Sequence, residues 1–155
     1  MRASLFSEHG LLDEQLNAAL DDLGWTPTPI QKLTLGPLGR GLDRLIIAPT
    51  GSGKTMAAVL PLLERCKSQG WEGLSILYIT PLRALNRDVD RRLQDIAAAC
   101  GLRVGIRHGD TTQYERTKQV KNPPHLLVTT PETFQVMFTG HRLLALLSSV
   151  KVVVI

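Results

Sequence analysis

Short apolar runs alternate with helical patterns along most of the chain. Four runs, at 44–48 (RLIIA), 74–80 (LSILYIT), 126–130 (LLVTT) and 151–155 (KVVVI), are continuous and rich in branched aliphatic residues. Runs of that length and composition predict strands covered on both faces. The stretch at 103–108 (RVGIRH) alternates polar and apolar positions instead, which predicts a strand nearer a sheet edge. Amphipathic helices lie between. The clearest spans 81–100, where Leu82, Leu85, Val89, Leu93, Ile96 and Cys100 recur at steps of three or four and Gly101 can end the helix. This alternation predicts an α/β fold, an open and mostly parallel sheet with helices on both faces.

Two strands run into the same dipeptide. LYITPLRAL and LLVTTPETF each pass from apolar strand to Thr-Pro. Thr80 and Thr130 suit the N-cap of a helix, and Pro81 and Pro131 suit its first position. Helix N-termini are thereby set at the carboxyl ends of neighbouring strands. In an open parallel sheet ligands bind at that edge, and helix N-termini favour anions.

The strongest chemical signal is IIAPTGSGKTMAA. An apolar strand leads into Ala48-Pro49-Thr50-Gly51-Ser52-Gly53-Lys54-Thr55 and then a helix. The pattern is that of a phosphate loop, with Ala48 in place of the usual first glycine. Gly51 and Gly53 can adopt backbone angles closed to other residues. Their turn can aim amide N–H groups, from Thr50 through Thr55, at a triphosphate. Lys54 would reach the β- and γ-phosphates, and the Thr55 hydroxyl would ligate Mg²⁺. Upstream, TPTPIQ carries a capping box, Thr28-x-x-Gln31, with Pro29 at the first helical position. Local sequence makes Gln31 a structural residue.

Together these segments resemble the first motor domain of superfamily 2 helicases, a RecA-like phosphate-loop domain. TPTPIQ is similar to the Q motif, APTGSGKT to motif I, TPLRALNRD to motif Ia, HGDT to the region of the glycine doublet, and TTPET to motif Ib. YITPLRALNRDV, RHGDT and LLVTTPET together most resemble the large helicase-related (Lhr-like) group. DEAD-box members usually carry Pro-Thr-Arg-Glu where Pro81-Leu82-Arg83-Ala84 stands here. The resemblance implies ATP and Mg²⁺ as cofactors, with Lys54 catalytic. It makes Gln31 a reader of the adenine edge, with Trp25 and Phe6 the candidate aromatic neighbours. It implies contacts with a DNA or RNA backbone from Thr80, Pro81, Arg83, Gly109, Thr130 and Pro131. Such contacts give affinity without reading sequence.

The resemblance also sets an expectation about extent. In such helicases an Asp-Glu-x-His or Asp-Glu-x-Asp box follows an apolar strand and holds Mg²⁺, and a second motor domain closes the cleft. Here the matching strand is 151–155, and neither part lies within the 155 residues. The expectation is that residues 1–155 form the N-terminal part of the ATP-binding domain, incomplete and inactive alone. The alternative is a non-catalytic module that binds nucleotide or nucleic acid. An unrelated phosphate-loop kinase gives the strand-Thr-Pro-helix repeats no role.

Composition changes this picture little. A net charge of +4 suits a polyanionic partner without establishing one. Cys66 and Cys100 lack metal-ligand spacing and read as free buried thiols. No stretch approaches the roughly 18 apolar residues of a membrane span, and MRASLFSEHG lacks a signal peptide's apolar run. A cytoplasmic location is expected. Arg83, Arg87 and Arg91 recur every four residues, but Asp88, Asp90 and Asp95 lie close enough to make a solvated, salt-bridged face. His108 reads equally as functional or as the end of its strand; His9, His125 and His141 read as incidental. Pro61 should cost the helix after the phosphate loop one hydrogen bond.

Overall fold

A computed structural model describes residues 14–81 and 87–155. The chain divides into two compact units, which meet in sequence at Gln69 and Gly70. The described part of the first unit is helical: α1 (Glu14–Asp22), α2 (Pro29–Gly39) and α3 (Lys54–Ser68). The second holds β1 (Ile76–Ile79), α4 (Arg87–Ala99), β2 (Val104–Arg107), α5 (Gln113–Lys121), β3 (Leu126–Thr129), α6 (Pro131–Met137), α7 (His141–Leu147) and β4 (Val152–Val154).

The four strands form one sheet in the order β2-β3-β1-β4, and every pairing is parallel. Ile76 stands beside Leu126 and Val152, and Val104 beside Leu126. Parallel pairing follows from the helix that returns the chain between strands. The alternating stretch RVGIRH does form an edge strand, β2. Leu77 and Leu127 present one face to Met137 of α6 and to Leu143, Leu146 and Leu147 of α7. Ile76, Leu126 and Val128 point to the opposite face and are also buried, and α4 lies against β2. Helix α4 ends as its sequence predicts. Gly101 takes a φ of 73°, and Leu102 N–H donates to the Ala97 carbonyl at 2.8 Å. The start of the predicted helix, with Leu82, Arg83 and Leu85, lies outside the described residues. On its exposed face Arg91 and Asp95 pair at 3.9 Å.

Two predicted strands differ. Residues 44–48 form no strand, and Leu45 and Ile47 are 85% and 82% exposed. The described part of their own unit contains only helices. Apolar character alone cannot make a strand without a ladder partner for its backbone groups. The predicted fully covered strand at 151–155 is instead the half-exposed edge strand β4. Among the described residues it pairs with β1 alone, and Val153 is 51% exposed.

Helix α3 runs unbroken through Pro61. Proline lacks the N–H that would donate to Ala57, four residues back. The Thr34 hydroxyl of α2 donates to that carbonyl at 2.7 Å. The hydrogen bond lost to Pro61 is thus replaced across the α2–α3 contact, at a buried position. Cys66 on the same helix is a buried thiol outside any disulfide, and burial pushes its pKa up to about 11. Cys100 is likewise a buried thiol outside any disulfide.

Thr34→Val should cost about 1–3 kcal/mol in urea unfolding, because it leaves the Ala57 carbonyl buried without a donor. Adding Pro61→Ala, which restores the N–H, should recover part of that loss. An unchanged midpoint in Thr34→Val would contradict this account.

Candidate nucleotide and nucleic-acid sites

The phosphate loop is built in the first unit. Gly51 and Gly53 adopt φ of 80° and 89°, the left-handed region open to glycine. Gly53 caps α3, so Lys54 and Thr55 begin the helix. The Lys54 ammonium folds back into the loop, donating to the carbonyls of Ala48 at 2.7 Å and Pro49 at 2.9 Å. The Ser52 N–H donates to the Pro49 carbonyl at 3.3 Å, while its hydroxyl is buried without a partner. Thr50 is exposed and Thr55 half-buried. The loop therefore holds one cation, one unpartnered hydroxyl and a helix N-terminus around a turn only glycines allow. That donor set fits a triphosphate. Lys54 would hold the phosphates, and Thr55 would offer one oxygen to Mg²⁺. Among the described residues no cluster of three or more His, Cys, Asp or Glu side chains could complete a metal site.

Gln31 fixes the loop from the neighbouring helix. Its side chain is buried. The carbonyl Oε1 accepts from Thr28 N–H at 3.0 Å and from the Trp25 indole N–H at 3.2 Å. These two donors orient the carboxamide and leave Nε2 to donate to the Gly53 carbonyl at 3.3 Å. Gln31 thus joins its own helix cap to the cap of α3. Trp25 binds the carboxamide edge-on through its N–H. Phe6 lies outside the described residues.

The second unit places both Thr-Pro turns side by side. β1 and β3 are neighbours, and Thr80 N–H donates to the Thr129 carbonyl at 2.9 Å. Thr130 is buried and caps α6, its hydroxyl accepting from Thr133 N–H at 3.3 Å; Pro131 opens that helix. Pro81 is exposed and not helical, and Arg83 lies outside the described residues. Gly109 is exposed, and a Cβ there would meet no atom within 4 Å. The backbone around it is thus open to close approach.

The turn at Gly109 depends on a residue the sequence reading missed. The Arg116 guanidinium donates to the carbonyls of Thr111 at 2.9 Å and of His108 and Gly109 at 3.0 Å. No periodicity announces this, because a helical arginine reaches back to a preceding turn. His108 helps from within: its N–H donates to the Thr111 hydroxyl at 2.9 Å, and its Nδ1 accepts from Asp110 N–H at 3.2 Å. His125 also has a structural task. Its Nδ1 accepts from Arg103 N–H at 3.0 Å, which requires a neutral ring. Burial, then the Arg103 charge, holds its pKa below the ordinary histidine value.

The DEAD/DEAH box helicase model matches residues 28–155. The chain belongs to that family. Its relatives include the ATP-dependent helicase Lhr-Core of Methanothermobacter thermautotrophicus, 34% identical over 95% of this chain and 18% of that protein. The Lhr helicase/uracil glycosylase of Escherichia coli is 43% identical over 74% of this chain and 9% of its own length. The structure of Mycobacterium smegmatis helicase Lhr bound to ssDNA and AMP-PNP superposes with a TM-score of 0.78 at 33% identity, over 93% of this chain and 20% of that one. The chain thus spans a fifth or less of these relatives. The superfamily 2 resemblance and its Lhr-like character both hold, and the fold is that of RecA-like helicase domains. Among the described residues no helix is long and apolar enough to cross a membrane.

Gly51→Ala and Gly53→Ala should separate backbone strain from the Gln31 contact. A Cβ at residue 51 meets nothing within 4 Å, so only left-handed strain of roughly 1–2 kcal/mol applies. At residue 53 the Cβ would stand 2.6 Å from Gln31 Nε2. Gly53→Ala should therefore cost more and shift the Trp25 indole N–H resonance, while Gly51→Ala leaves that resonance in place. Equal effects from the two substitutions would contradict the coupling.

Proposed function

We propose that the chain is the nucleotide-holding front part of the first motor domain of an Lhr-like ATP-dependent helicase. The observation that carries this reading is the phosphate loop itself, with Lys54 inside it and Gly53 held by Gln31. ATP would bind with its phosphates on the amides of Thr50 to Thr55, and the Lys54 ammonium would exchange two carbonyls for phosphate oxygens. Thr55 would provide one Mg²⁺ ligand. Bound ATP supplies the phosphoryl group, and bound Mg²⁺ spreads its charge. The unused proton of Gln31 Nε2 supports a donor role toward an acceptor on the adenine edge.

Nucleic acid would run along the carboxyl edge of the sheet in the second unit. Thr80, Pro81, Thr130 and Pro131 shape the backbone there and Gly109 leaves room; Arg83 would add charge on the strength of the family resemblance alone. The ssDNA in the M. smegmatis Lhr structure supports this class of partner. Whether DNA or RNA is the track depends on groups that read the 2′-hydroxyl.

In phosphate-loop enzymes turnover needs an acidic residue on Mg²⁺ and a group that orients water. No Asp-Glu pair follows β4 within these 155 residues. In the full motor, that box and a second motor domain would complete the site. The 155-residue chain should bind ATP weakly and hydrolyse none above background, measured by phosphate release with and without single-stranded DNA. Nucleic-acid-stimulated turnover that disappears in Lys54→Ala would overturn this assignment of roles.

A further inference from the structure

The Gln31 carboxamide is more heavily committed than reading a base requires. A primary amide carries two lone pairs on its oxygen and two protons on its nitrogen. Oε1 uses both lone pairs within the first unit, accepting from Thr28 N–H at 3.0 Å and from the Trp25 indole N–H at 3.2 Å. One Nε2 proton goes to the Gly53 carbonyl at 3.3 Å. One proton remains. The side chain is only 1% exposed, so water does not compete for these bonds. An incoming group can gain the oxygen only by displacing one of its two donors. The Thr28 N–H is backbone at the N-cap of α2 and cannot leave without opening that helix end. The Trp25 donor is a side chain. Its N–H therefore decides whether Oε1 is available to a ligand.

This count bears on which base the nucleotide site accepts. Adenine presents the acceptor N7 beside an amine donor at N6, and guanine presents the same N7 beside the acceptor O6. A site that selects adenine on that edge must face N6 with an acceptor. An N–H directed at N7 treats both purines alike. With its oxygen filled, Gln31 keeps only an N–H. The Thr28 hydroxyl lies in the same place, since a Cβ at residue 53 would stand 2.6 Å from Gln31 Nε2 and 3.3 Å from Thr28 Oγ1. A hydroxyl donates or accepts as its partner requires, so it favours neither purine.

We propose that the nucleotide site takes guanosine triphosphate on a par with ATP, and that Trp25 sets this breadth by occupying Gln31 Oε1. Trp25 is a positioning residue, acting through Gln31. An Oε1 left open would gain a hydrogen bond from the adenine amine and would meet guanine O6 as one acceptor against another. Buried polar groups left unpaired in this way make a site selective. The indole N–H removes that penalty by satisfying the oxygen from within the protein.

This inference rests on the nucleotide reading above, and the test separates the two. The 155-residue chain is titrated with AMP-PNP and with GMP-PNP, and the Kd for each is read from the Gly51 and Lys54 amide resonances. The two constants should agree within about threefold, less than a full hydrogen bond would separate them. Trp25→Phe keeps an aromatic ring and removes the N–H. It should favour AMP-PNP over GMP-PNP by about tenfold, one hydrogen bond gained with adenine and one mismatch with guanine. If Trp25 only supports the fold, the substitution weakens both nucleotides by the same factor, and that result would overturn the proposal. The parent supplies a second readout that does not depend on the variant's folding. Its Trp25 indole N–H resonance should hold its position with either nucleotide. An indole N–H displaced by AMP-PNP and not by GMP-PNP would show adenine taking Oε1, and would overturn the proposal. A parent preference for AMP-PNP beyond threefold would overturn it too, leaving the nucleotide site standing. No saturable binding of either nucleotide would overturn both.

Discussion

The phosphate loop depends on one carboxamide. Gln31 accepts two N–H donors at one end and donates to the Gly53 carbonyl at the other. The geometry leaves it no freedom to flip, because two donors facing an NH₂ group would repel. Gly53 is the residue where the loop becomes helix α3, and its left-handed backbone sets the direction in which Lys54 and Thr55 leave the turn. A helix-capping device on α2 is therefore also a clamp on the loop. The Thr34–Ala57 bond repeats the theme one turn further along, where Pro61 would otherwise leave a carbonyl unpaired.

Capping and clamping recur in the second unit with different chemistry. Thr130 caps α6, Arg116 gathers three carbonyls of the turn after β2, and His125 ties the start of β3 to Arg103. Each uses a polar side chain to satisfy backbone that the parallel sheet cannot pair at its ends. Loops of this kind can stay open to ligand without losing their shape. Arg107 stands apart: among the described residues its buried guanidinium makes no ion pair and one long hydrogen bond, to Gln119, where the neighbouring arginine holds three carbonyls.

Much of this was legible in the sequence. The two Thr-Pro turns gave adjacent strands, the alternation in RVGIRH gave an edge strand, and Gly51 and Gly53 gave the loop its form. Gly101 ended its helix where expected. Two local expectations failed. RLIIA is apolar enough for a strand, but strand formation is a property of pairs, and no partner stands within the described part of its unit. KVVVI was expected to be covered on both faces, and sheet order, which local pattern does not encode, put it at an edge. The capping box at Gln31 held, and its further hold on Gly53 comes with a bond from the indole of Trp25, six residues upstream. No local pattern singles out Arg107 or Arg116; topology brings a strand end, a turn and a helix together around them.

The central claim is that the first unit presents a nucleotide site formed before nucleotide arrives. The most direct measurement is a ¹⁵N titration of the 155-residue chain with AMP-PNP, following the Gly51, Gly53 and Lys54 amides and the Gln31 side-chain NH₂. The account predicts that all four move together along one saturable curve, with the Trp25 indole N–H changed little because its bond to Gln31 persists. Amides that stay fixed at millimolar nucleotide, or that move while the Gln31 NH₂ does not, would contradict it.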